Sequence, residues 1–520
     1  MTATNQTTVL VIGAGIMGAG IAQVAAQAGH PVFLFDLREG AAGDAKRKLG
    51  ATLDGLVAKG KLAAETVAAT LANIEPIARL DAAAAAGVVV EAIVENLDAK
   101  RSLFRALESL LSADAILCTN TSSISVTAIA NGLEHPGRVV GMHFFNPVPL
   151  MKLVEVVHGL LTAPDVADRA FELARSWGKV PVHARSTPGF IVNRIARPYY
   201  AEALALLQEQ ATTPQVLDAC LRAAGFRMGP CELMDLIGHD TNFAVTRSVF
   251  EANFGDKRYV PSLIQREMVD GGLLGRKSGR GFYGYPEGTP PLPPSACGPV
   301  PTARNVTVHG AGPVAQALVS AASRILESQG GLAQLAPDSP WIGIEVDGAR
   351  LMLSDGTPAH EVARRGGLSD VVVFDLPLCR PVAAATPLAY SVHAGTSASW
   401  QAAAASWLQA LGYAPQRMQD APGLIVARTV AMLINEAADA VQQGVCTPEG
   451  ADAAMKLGVN YPAGPFEWLA QWSGAGVIAV VEALDAAYRG ERYRVSPWLR
   501  RRAGIWEHSF GHACRDDEIH

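Results

Sequence analysis

Short apolar runs alternate with alanine-rich stretches of helical spacing over the first third of the chain. The runs have the length and the β-branched content of buried strands. They are Val9–Ile12, Val32–Phe35, Val88–Ile93, Ile116–Thr119 and Val139–Met142. Strands that alternate with helices form a parallel sheet with helices on both faces. The pattern therefore predicts a doubly wound α/β domain over residues 1–185.

The pattern changes after Thr187, where helical spacing continues without strand signals. Residues 186–285 are predicted to form an all-α domain, and its last segment, Gly275–Tyr285, is rich in glycine. Proline is frequent in residues 286–301, which predicts a linker.

The second half of the chain looks like a degenerate copy of the first. Pro188–Arg194 (PGFIVNR) recurs as Pro422–Arg428 (PGLIVAR), and Glu202 falls on Glu436 at the same offset. A match of this length at one offset predicts a duplication, with a degenerate α/β domain followed by a second all-α domain. The predicted boundaries of these two domains are residues 302–415 and 416–520.

Composition narrows the range of partners. The formal charge of −6 gives no basic surface, so nucleic acid is not expected as a partner. No uncharged apolar run is long enough to cross a membrane, and the N-terminus lacks the pattern of a secretory signal, so no membrane association is expected. The seven cysteines are scattered without a C-x-x-C pair. We therefore expect reduced thiols in a cytoplasmic protein and no metal site.

A glycine motif follows the first predicted strand. Gly13-Ala14-Gly15-Ile16-Met17-Gly18 has the G-x-G-x-x-G spacing and opens a helical pattern. The first glycine permits a tight turn, the second lets the backbone approach a pyrophosphate, and the third lets the helix pack closely on the strand. The strand Val32–Phe35 ends in Asp36, whose carboxylate would bind an adenosine ribose and repel a 2′-phosphate. NAD is therefore the predicted cofactor of a Rossmann-type domain; a glycine-rich turn without a ligand is the alternative.

A histidine and a carboxylate form the candidate catalytic pair. His143 lies at the C-terminal end of the fifth predicted strand, where ligands of open α/β sheets bind. Glu155 interrupts the apolar run Leu153–Val157, and a carboxylate in a buried strand needs a partner. Two prolines between them suit a reversal of the chain. The reversal would bring Glu155 beside His143 and make a general base held in one tautomer, whereas a satisfied core histidine is the alternative.

Two further polar side chains are candidates for the same site. Ser122 follows the strand Ile116–Thr119, again at a strand C-terminus, and its alternative role is a helix cap. Asn193 is flanked by apolar residues in a helical run and needs hydrogen-bond partners. A contact between helices is the alternative for Asn193.

Seven motifs of the first half occur together. They are Gly13–Gly20, Val90–Glu95, Thr119–Ser123, His143–Pro147, Met151–Glu155, Pro188–Arg194 and Gly279–Tyr283. As a set, spanning residues 8–285, they resemble the L-3-hydroxyacyl-CoA dehydrogenase family of fatty acid β-oxidation. The resemblance implies NAD-dependent oxidation of (S)-3-hydroxyacyl-CoA, an acyl-CoA substrate as partner, and a homo-oligomer as a possible state.

The resemblance also implies a role for each residue. His143 takes the proton from the 3-hydroxyl, and Glu155 orients the imidazole and stabilises its charged form. Ser122 and Asn193 bind the reacting oxygen, and Asp36 holds the adenosine ribose. The remaining implied contacts line the nicotinamide half of the cofactor site; they are Glu95, Lys100, Asn120 and Asn146.

The substrate is less closely defined than the reaction. Lys59 and Lys61 are candidates for contacts with the coenzyme A phosphates, and a solvated surface pair is their alternative. The length and the duplication resemble the long bacterial form of the family. That form implies phenylacetate catabolism and a 3-hydroxyadipyl-CoA substrate, with 3-hydroxybutyryl-CoA as the alternative.

The second half departs from the motifs of the first. Ala427 stands where the first copy has Asn193, and Gly310–Ala315 lacks the third glycine of the motif. We therefore predict neither catalysis nor dinucleotide binding there. In the family the helical domain forms the dimer interface, so the second copy is expected to imitate that contact within one chain.

Two other functions are compatible with the same fold. One is a non-catalytic NADH-binding structural protein, since fold does not fix function. Such a protein has no need to keep His143 and Glu155 together. The other is a dehydrogenase of small 3-hydroxy acids, which uses a lysine in place of the pair.

Overall fold

The computed structural model describes residues 7–292, 303, 305–327, 329–378 and 386–502. The chain divides into two compact units. Unit 1 comprises Met1–Arg194 with Ala440–Val459, and unit 2 comprises Ile195–Asp439 with Asn460–His520. Most of the predicted linker, with Cys297, and also Cys379 and Cys514 lie outside the described residues. None of the described helices is long and apolar enough to cross a membrane.

Unit 1 is built on an eight-stranded sheet. Its strands are β1 (Val9–Ile12), β2 (Val32–Phe35), β3 (Ile74–Ile77), β4 (Val88–Glu91), β5 (Ile116–Thr119), β6 (Val139–Phe144), β7 (Leu153–His158) and β8 (Val180–Arg185). Their order is β3-β2-β1-β4-β5-β6-β7-β8, which contains the 3-2-1-4-5-6 order of dinucleotide-binding sheets. The prediction of a doubly wound Rossmann-type domain is therefore confirmed.

Helices cover this sheet. They are α1 (Ile16–Gln27), α2 (Ala41–Ala58), α3 (Ala64–Ala72), α4 (Leu97–Leu110), α5 (Val126–Ala130), α6 (Pro164–Ser176) and α7 (Val192–Ile195). Strand residues such as Val11 and Met142 pack in one buried cluster with helix residues such as Ile21 and Ala170. Because most strands are buried on both sides, they read as continuous apolar runs in the sequence.

The sheet differs from the expected parallel arrangement at one pair of strands. β6 and β7 are antiparallel, whereas all other neighbours are parallel. The connection from β6 to β7, residues 145–152, is too short for the crossover that parallel strands require. The fifth predicted strand is β6, and it runs two residues past its predicted end, so that His143 lies within the strand. β4 ends at Glu91, whereas the prediction extended it to Ile93.

The first all-α region follows in unit 2, as predicted. Its helices are α8 (Arg197–Gln208), α9 (Pro214–Ala223), α10 (Pro230–Ile237), α11 (His239–Ala252) and α12 (Leu263–Asp270). Proline opens several of them, where its missing N–H costs no helical hydrogen bond.

A second sheet, of seven strands, follows. The strands are β9 (Asn305–His309), β10 (Leu332–Ala336), β11 (Gly343–Val346), β12 (Ala349–Leu353), β13 (Val371–Phe374), β14 (Thr386–Val392) and β15 (Tyr413–Arg417). The helices between them are α13 (Pro313–Glu327), α14 (Ala359–Gly366) and α15 (Ala398–Ala410). Their order is β10-β9-β11-β12-β13-β14-β15, and an antiparallel hairpin of β11 and β12 stands between β9 and β13. This sheet is a reduced version of the first, as the degenerate copy predicted.

The chain ends in a second helical region. Its helices are α16 (Val426–Gln442), α17 (Pro448–Gly458), α18 (Pro465–Trp472) and α19 (Gly474–Tyr488). α17 belongs to unit 1, whereas α18 and α19 belong to unit 2.

The two helical copies contact each other reciprocally inside unit 2. Glu202 of the first copy accepts a hydrogen bond from Nη2 of Arg492 at 2.8 Å. Glu436, the counterpart of Glu202 in the second copy, accepts one from Nη1 of Arg258 at 3.4 Å. Arg492 corresponds to Arg258 at the same offset, so each contact repeats the other with the copies exchanged. Both carboxylates are buried, and such charges are stable only when they stay paired.

Candidate active site

The glycine motif forms a turn that brings β1, α1 and β4 close together. Gly13 has a φ of 102°, and a Cβ at Gly13 would lie 2.4 Å from the carbonyl oxygen of Ala92. A Cβ at Gly18 would lie 1.7 Å from the carbonyl oxygen of Gly13, so neither position tolerates a side chain. At Gly15 a Cβ would meet no atom within 4 Å, and no side chain caps the start of α1. The open approach and the uncapped N–H groups fit the pyrophosphate of a dinucleotide.

Asp36 ends β2 beside this turn. Its Oδ2 accepts a hydrogen bond from the backbone N–H of Ala14 at 2.8 Å, and its Oδ1 accepts one from Nε of Arg38 at 3.1 Å. Partial burial alone would raise the pKa of the Asp36 carboxyl, but the hydrogen bonds from Arg38 and Ala14 lower it below its usual value. An ionised carboxylate therefore stands where a ribose would bind. Exposed Leu37 (92%) and Val94 (69%) offer apolar surface near the same edge, and these residues fit NAD.

His143 and Glu155 lie directly opposite each other in the antiparallel pair β6–β7. Nδ1 of His143 is 2.5 Å from Oε2 of Glu155. The histidine is 6% exposed and the glutamate is fully buried. No hydrogen bond among the described residues involves Nε2 of His143. The carboxylate thus fixes one ring nitrogen and leaves the other for a ligand.

Glu155 is held from its other side by the start of α7. Its Oε1 accepts hydrogen bonds from the backbone N–H groups of Ile191 at 3.0 Å and Val192 at 2.9 Å. The two preceding residues have positive φ, 80° at Gly189 and 46° at Phe190. This left-handed turn points the following N–H groups at the carboxylate, and such backbone concavities bind anions. With Nδ1 of His143, these two N–H groups make three donors to Glu155, and together they set the direction of its carboxylate.

Glu95 accepts several hydrogen bonds from the loop that follows β5. Its Oε1 accepts hydrogen bonds from Oγ1 of Thr121 at 2.6 Å and from the backbone N–H of Ser122 at 3.0 Å, and Oγ of Ser122 lies 3.4 Å away. Burial would raise the pKa of Glu95, but the hydroxyl of Thr121 and the charge of Lys100 lower it. The cap of α5 is Ser125, so Ser122 does not have that alternative role.

Glu91 belongs to the same network, although we did not single it out in the sequence. It ends β4 fully buried, and its Oε1 accepts a hydrogen bond from Nζ of Lys100 at 2.6 Å. Its Oε2 accepts one from Oγ1 of Thr119 at 2.7 Å. Lys100 is 1% exposed and also lies 3.3 Å from Oε2 of Glu95. The signal that identified Glu155, a carboxylate in an apolar run, was present at Glu91 as well.

The three asparagines lie at different depths around the pair. Oδ1 of Asn120 accepts a hydrogen bond from the backbone N–H of Phe144 at 2.8 Å, which ties the end of β5 to the residue after His143. Asn193 is half-buried in α7, next to Val192. Asn146 is exposed just past β6.

The two candidate lysines for coenzyme A lie elsewhere in unit 1. Lys59 and Lys61 are exposed at the end of α2, which packs on β2 and β3, whereas His143 is on β6. Their contact with coenzyme A stays a prediction. Among the described residues, no group of three or more His, Cys, Asp or Glu side chains could hold a metal ion.

The second half keeps the backbone arrangement of the site without its base. Asp375 accepts hydrogen bonds from the N–H groups of Ile425 at 2.9 Å and Val426 at 2.6 Å, as Glu155 does from Ile191 and Val192 at the equivalent turn of the first copy. Burial raises the pKa of Asp375 to about 6. No histidine among the described residues is hydrogen-bonded to Asp375.

Comparison with known families assigns most of the chain, with residues 286–350 outside the matched ranges. Residues 8–187 match the NAD binding domain of 3-hydroxyacyl-CoA dehydrogenase. The C-terminal domain of the same family matches twice, at residues 189–285 and 423–506, which confirms the predicted duplication. Residues 351–422 match the 3-hydroxybutyryl-CoA dehydrogenase reduced Rossmann-fold domain.

One known protein and one crystal structure are similar to this chain over nearly its whole length, and another known protein is similar over about half of it. The chain is 43% identical over 505 residues to a 3-hydroxyadipyl-CoA dehydrogenase of Escherichia coli (strain K12), covering 96% of this chain and 98% of the relative. It is 41% identical over 276 residues to a 3-hydroxybutyryl-CoA dehydrogenase of Clostridioides difficile, covering 53% of this chain and 98% of the relative. A crystal structure of 3-hydroxybutyryl-CoA dehydrogenase from Escherichia coli K12 has a TM-score of 0.85 at 42% identity and covers 97% of this chain and 99% of that one. The chain therefore belongs to the 3-hydroxyacyl-CoA dehydrogenase family, whose cofactor is NAD.

Proposed function

We propose that this protein oxidises the 3-hydroxyl of (S)-3-hydroxyacyl-CoA thioesters with NAD, using His143 as the base. The observation that carries the proposal is the contact of 2.5 Å between Nδ1 of His143 and Oε2 of Glu155. The contact lies on the sheet whose first strand leads into the glycine turn. A base, its orienting carboxylate and a dinucleotide turn on one sheet are what alcohol oxidation by a nicotinamide requires.

In the forward reaction Nε2 of His143 takes the proton of the 3-hydroxyl. Glu155 accepts a hydrogen bond from the Nδ1–H of the ring throughout, which keeps Nε2 free to act as the base and stabilises the imidazolium that forms. Ser122 and Asn193 contact the reacting oxygen and hold it against the base. In the reverse direction the imidazolium returns the proton.

NAD, when bound, supplies the hydride acceptor. The turn of Gly13, Gly15 and Gly18, with Ile16 and Met17, holds its pyrophosphate. Asp36 accepts hydrogen bonds from the adenosine ribose. The residues assigned to the nicotinamide half are Glu95, Lys100, Asn120 and Asn146.

The substrate we propose is 3-hydroxyadipyl-CoA, in phenylacetate catabolism. It is supported by the 3-hydroxyadipyl-CoA dehydrogenase of Escherichia coli, to which this chain is similar over 96% of its length. The alternative is 3-hydroxybutyryl-CoA, for which the Escherichia coli enzyme whose crystal structure covers 97% of this chain is named. Beyond C3 the acyl chain of the first continues through two methylene groups to a carboxylate, whereas that of the second ends in a methyl group.

Steady-state kinetics with both thioesters at saturating NAD test this proposal. We expect a higher kcat/KM for 3-hydroxyadipyl-CoA than for 3-hydroxybutyryl-CoA, and no turnover of free 3-hydroxyadipate. A higher kcat/KM for 3-hydroxybutyryl-CoA would reverse the choice of acyl chain. Absence of turnover with either thioester would contradict the dehydrogenase assignment itself.

Location and assembly are part of the proposal. A cytoplasmic location is supported by four described cysteines that are free thiols, Cys118, Cys220, Cys231 and Cys446. We also propose that the helical copies make within one chain the contact that half-length members make between two chains. The reciprocal pairs Glu202–Arg492 and Glu436–Arg258 support this. This intrachain contact is compatible with a homo-oligomer of the full chain.

A further inference from the structure

A segment of the second copy forms part of the unit that carries the catalytic pair. Residues 440–459 belong to unit 1 and lie inside the second match to the C-terminal domain, residues 423–506. Their helix, α17, packs against β7 and β8. The strand of Glu155 therefore packs against a helix that is far away in sequence. That helix belongs to the second copy, which lacks a catalytic pair of its own.

Gly458, the last residue of α17, makes this approach close. It is buried, and a Cβ there would lie 2.7 Å from Cδ2 of Leu153 and 3.0 Å from Cγ2 of Val192. The same Cβ would lie 3.7 Å from Cε1 of Phe145. Interiors are packed as densely as organic crystals, so an added side chain must displace Leu153 and Val192, whereas Phe145 is at ordinary contact distance from the added Cβ.

Each neighbour of Gly458 lies beside the catalytic pair or contacts it. Leu153 stands two residues before Glu155 on β7 and therefore on the same face of the strand. Val192 donates its backbone N–H to Oε1 of Glu155 at 2.9 Å. The ring of Phe145 lies 4.5 Å from the ring of His143, centroid to centroid.

The segment is also fixed to unit 1 before α17 begins. The carbonyl oxygen of Val445 accepts a hydrogen bond at 2.8 Å from the backbone N–H of Arg185, the last residue of β8. Oε1 of Gln443 accepts one from Nη1 of Arg194 at 2.8 Å. Cys446 lies between these residues and α17. Burial raises the pKa of the Cys446 thiol, and the negative charge of nearby Glu155 raises it further.

We propose that Gly458 is a positioning residue for the His143–Glu155 pair, and that the second copy acts through it on the reaction of the first. This inference rests on the proposed function. The absence of a side chain at Gly458 leaves room for Leu153, Val192 and Phe145, and the positions of these residues set the direction of the carboxylate and the imidazole. The degenerate half thus contributes to catalysis without supplying a reacting group.

The first copy provides a matched position without a catalytic pair. Ala224 corresponds to Gly458 at the offset of the duplication; it stands directly after α9, and α9 packs on β14 of the second sheet. The carbonyl of Ala211 accepts a hydrogen bond from the N–H of Gln419 at 2.8 Å, repeating the contact of Val445 with Arg185. Ala224 is 5% exposed, so enlarging it also perturbs a packed site.

The test compares Gly458→Val with Ala224→Val in the full-length protein. We expect Gly458→Val to lower kcat by about 10–100-fold, the usual effect of misplacing catalytic groups by about 1 Å. The KM for NAD should stay at the wild-type value, because the glycine turn of β1 and α1 is not touched. Ala224→Val should lower the thermal midpoint while keeping the wild-type kcat. Adding Leu153→Val to Gly458→Val removes the closest methyl group and should recover part of kcat.

The results separate the inference from the proposed function. Wild-type kcat in Gly458→Val, or an equal loss of kcat in Ala224→Val, would overturn the positioning role. If Gly458→Val does not fold, Gly458→Ala serves in its place with a smaller loss of kcat, and an unchanged kcat there has the same meaning. Absence of coenzyme-A-dependent turnover in the wild-type protein would instead remove the proposed function.

Discussion

Replacing Glu155 with glutamine tests the proposed base through the tautomer of His143. Oε1 of Glu155 faces the N–H groups of Ile191 and Val192, and Oε2 faces Nδ1 of His143. Glutamine has one acceptor oxygen and one donor nitrogen in these two places. Because two N–H donors face the first place, the amide oxygen takes it, and the amide nitrogen then faces the imidazole.

The imidazole must then accept a hydrogen bond at Nδ1, which moves its own proton to Nε2. A ring protonated on Nε2 has no lone pair there for the substrate hydroxyl, and no carboxylate stabilises the imidazolium. We expect kcat to fall by about 10³–10⁴, which corresponds to about 4–5.5 kcal/mol in the activation free energy. The protein should stay folded, since the two backbone N–H groups keep their acceptor.

The assay is reduction of acetoacetyl-CoA, followed as loss of NADH absorbance, with thermal unfolding measured in parallel. Asp375→Asn is the matched control, because Asp375 accepts the N–H groups of Ile425 and Val426 but has no imidazole among its hydrogen-bond partners. We expect Asp375→Asn to keep the wild-type kcat and to lose thermal stability. A wild-type rate in Glu155→Gln would refute the argument from the tautomer.

Three further predictions concern the base, the cofactor and the helical copies. His143→Ala should lower kcat by about 10²–10⁴ with an unchanged dissociation constant for NADH by fluorescence titration; undiminished turnover would exclude this base. Asp36→Ala should weaken NAD binding and admit NADP, since Arg38 then lacks its carboxylate partner, and an unaltered ratio of the two kcat/KM values would contradict it. A fragment of residues 1–290 should self-associate in light scattering, because Arg258 loses its intrachain partner Glu436, and a stable monomer would argue against the reciprocal interface.

Local pattern was sufficient for most strands of the first sheet and for the pairing of the candidate catalytic residues, but not for β3 and β8, which were not predicted. Apolar runs gave β1, β2 and β5 with their observed ends, because buried strands carry an uninterrupted signal. Glu155 was found because a carboxylate inside such a run demands a partner, and His143 was the candidate at the end of the preceding strand.

What sequence did not provide depends on contacts between distant residues. The carboxylate of Glu91 follows an apolar run in the sequence, but its pairing with Lys100 depends on how α4 folds back over β4. The hairpin of β11 and β12 was not predicted, since no motif of the first copy corresponds to it. The packing of Gly458 on Leu153 joins positions in opposite halves of the chain, and no local period or spacing reports such a contact.

The exchange of partners between Glu202 and Glu436 has a consequence for how the protein responds to dilution. A chain with a single helical copy could form these ion pairs only with another molecule, so they would be lost as its concentration fell. Here a covalent backbone carries both partners, and their effective concentration is set by the chain itself. The interface should therefore persist at concentrations where a pair of separate half-length chains would come apart.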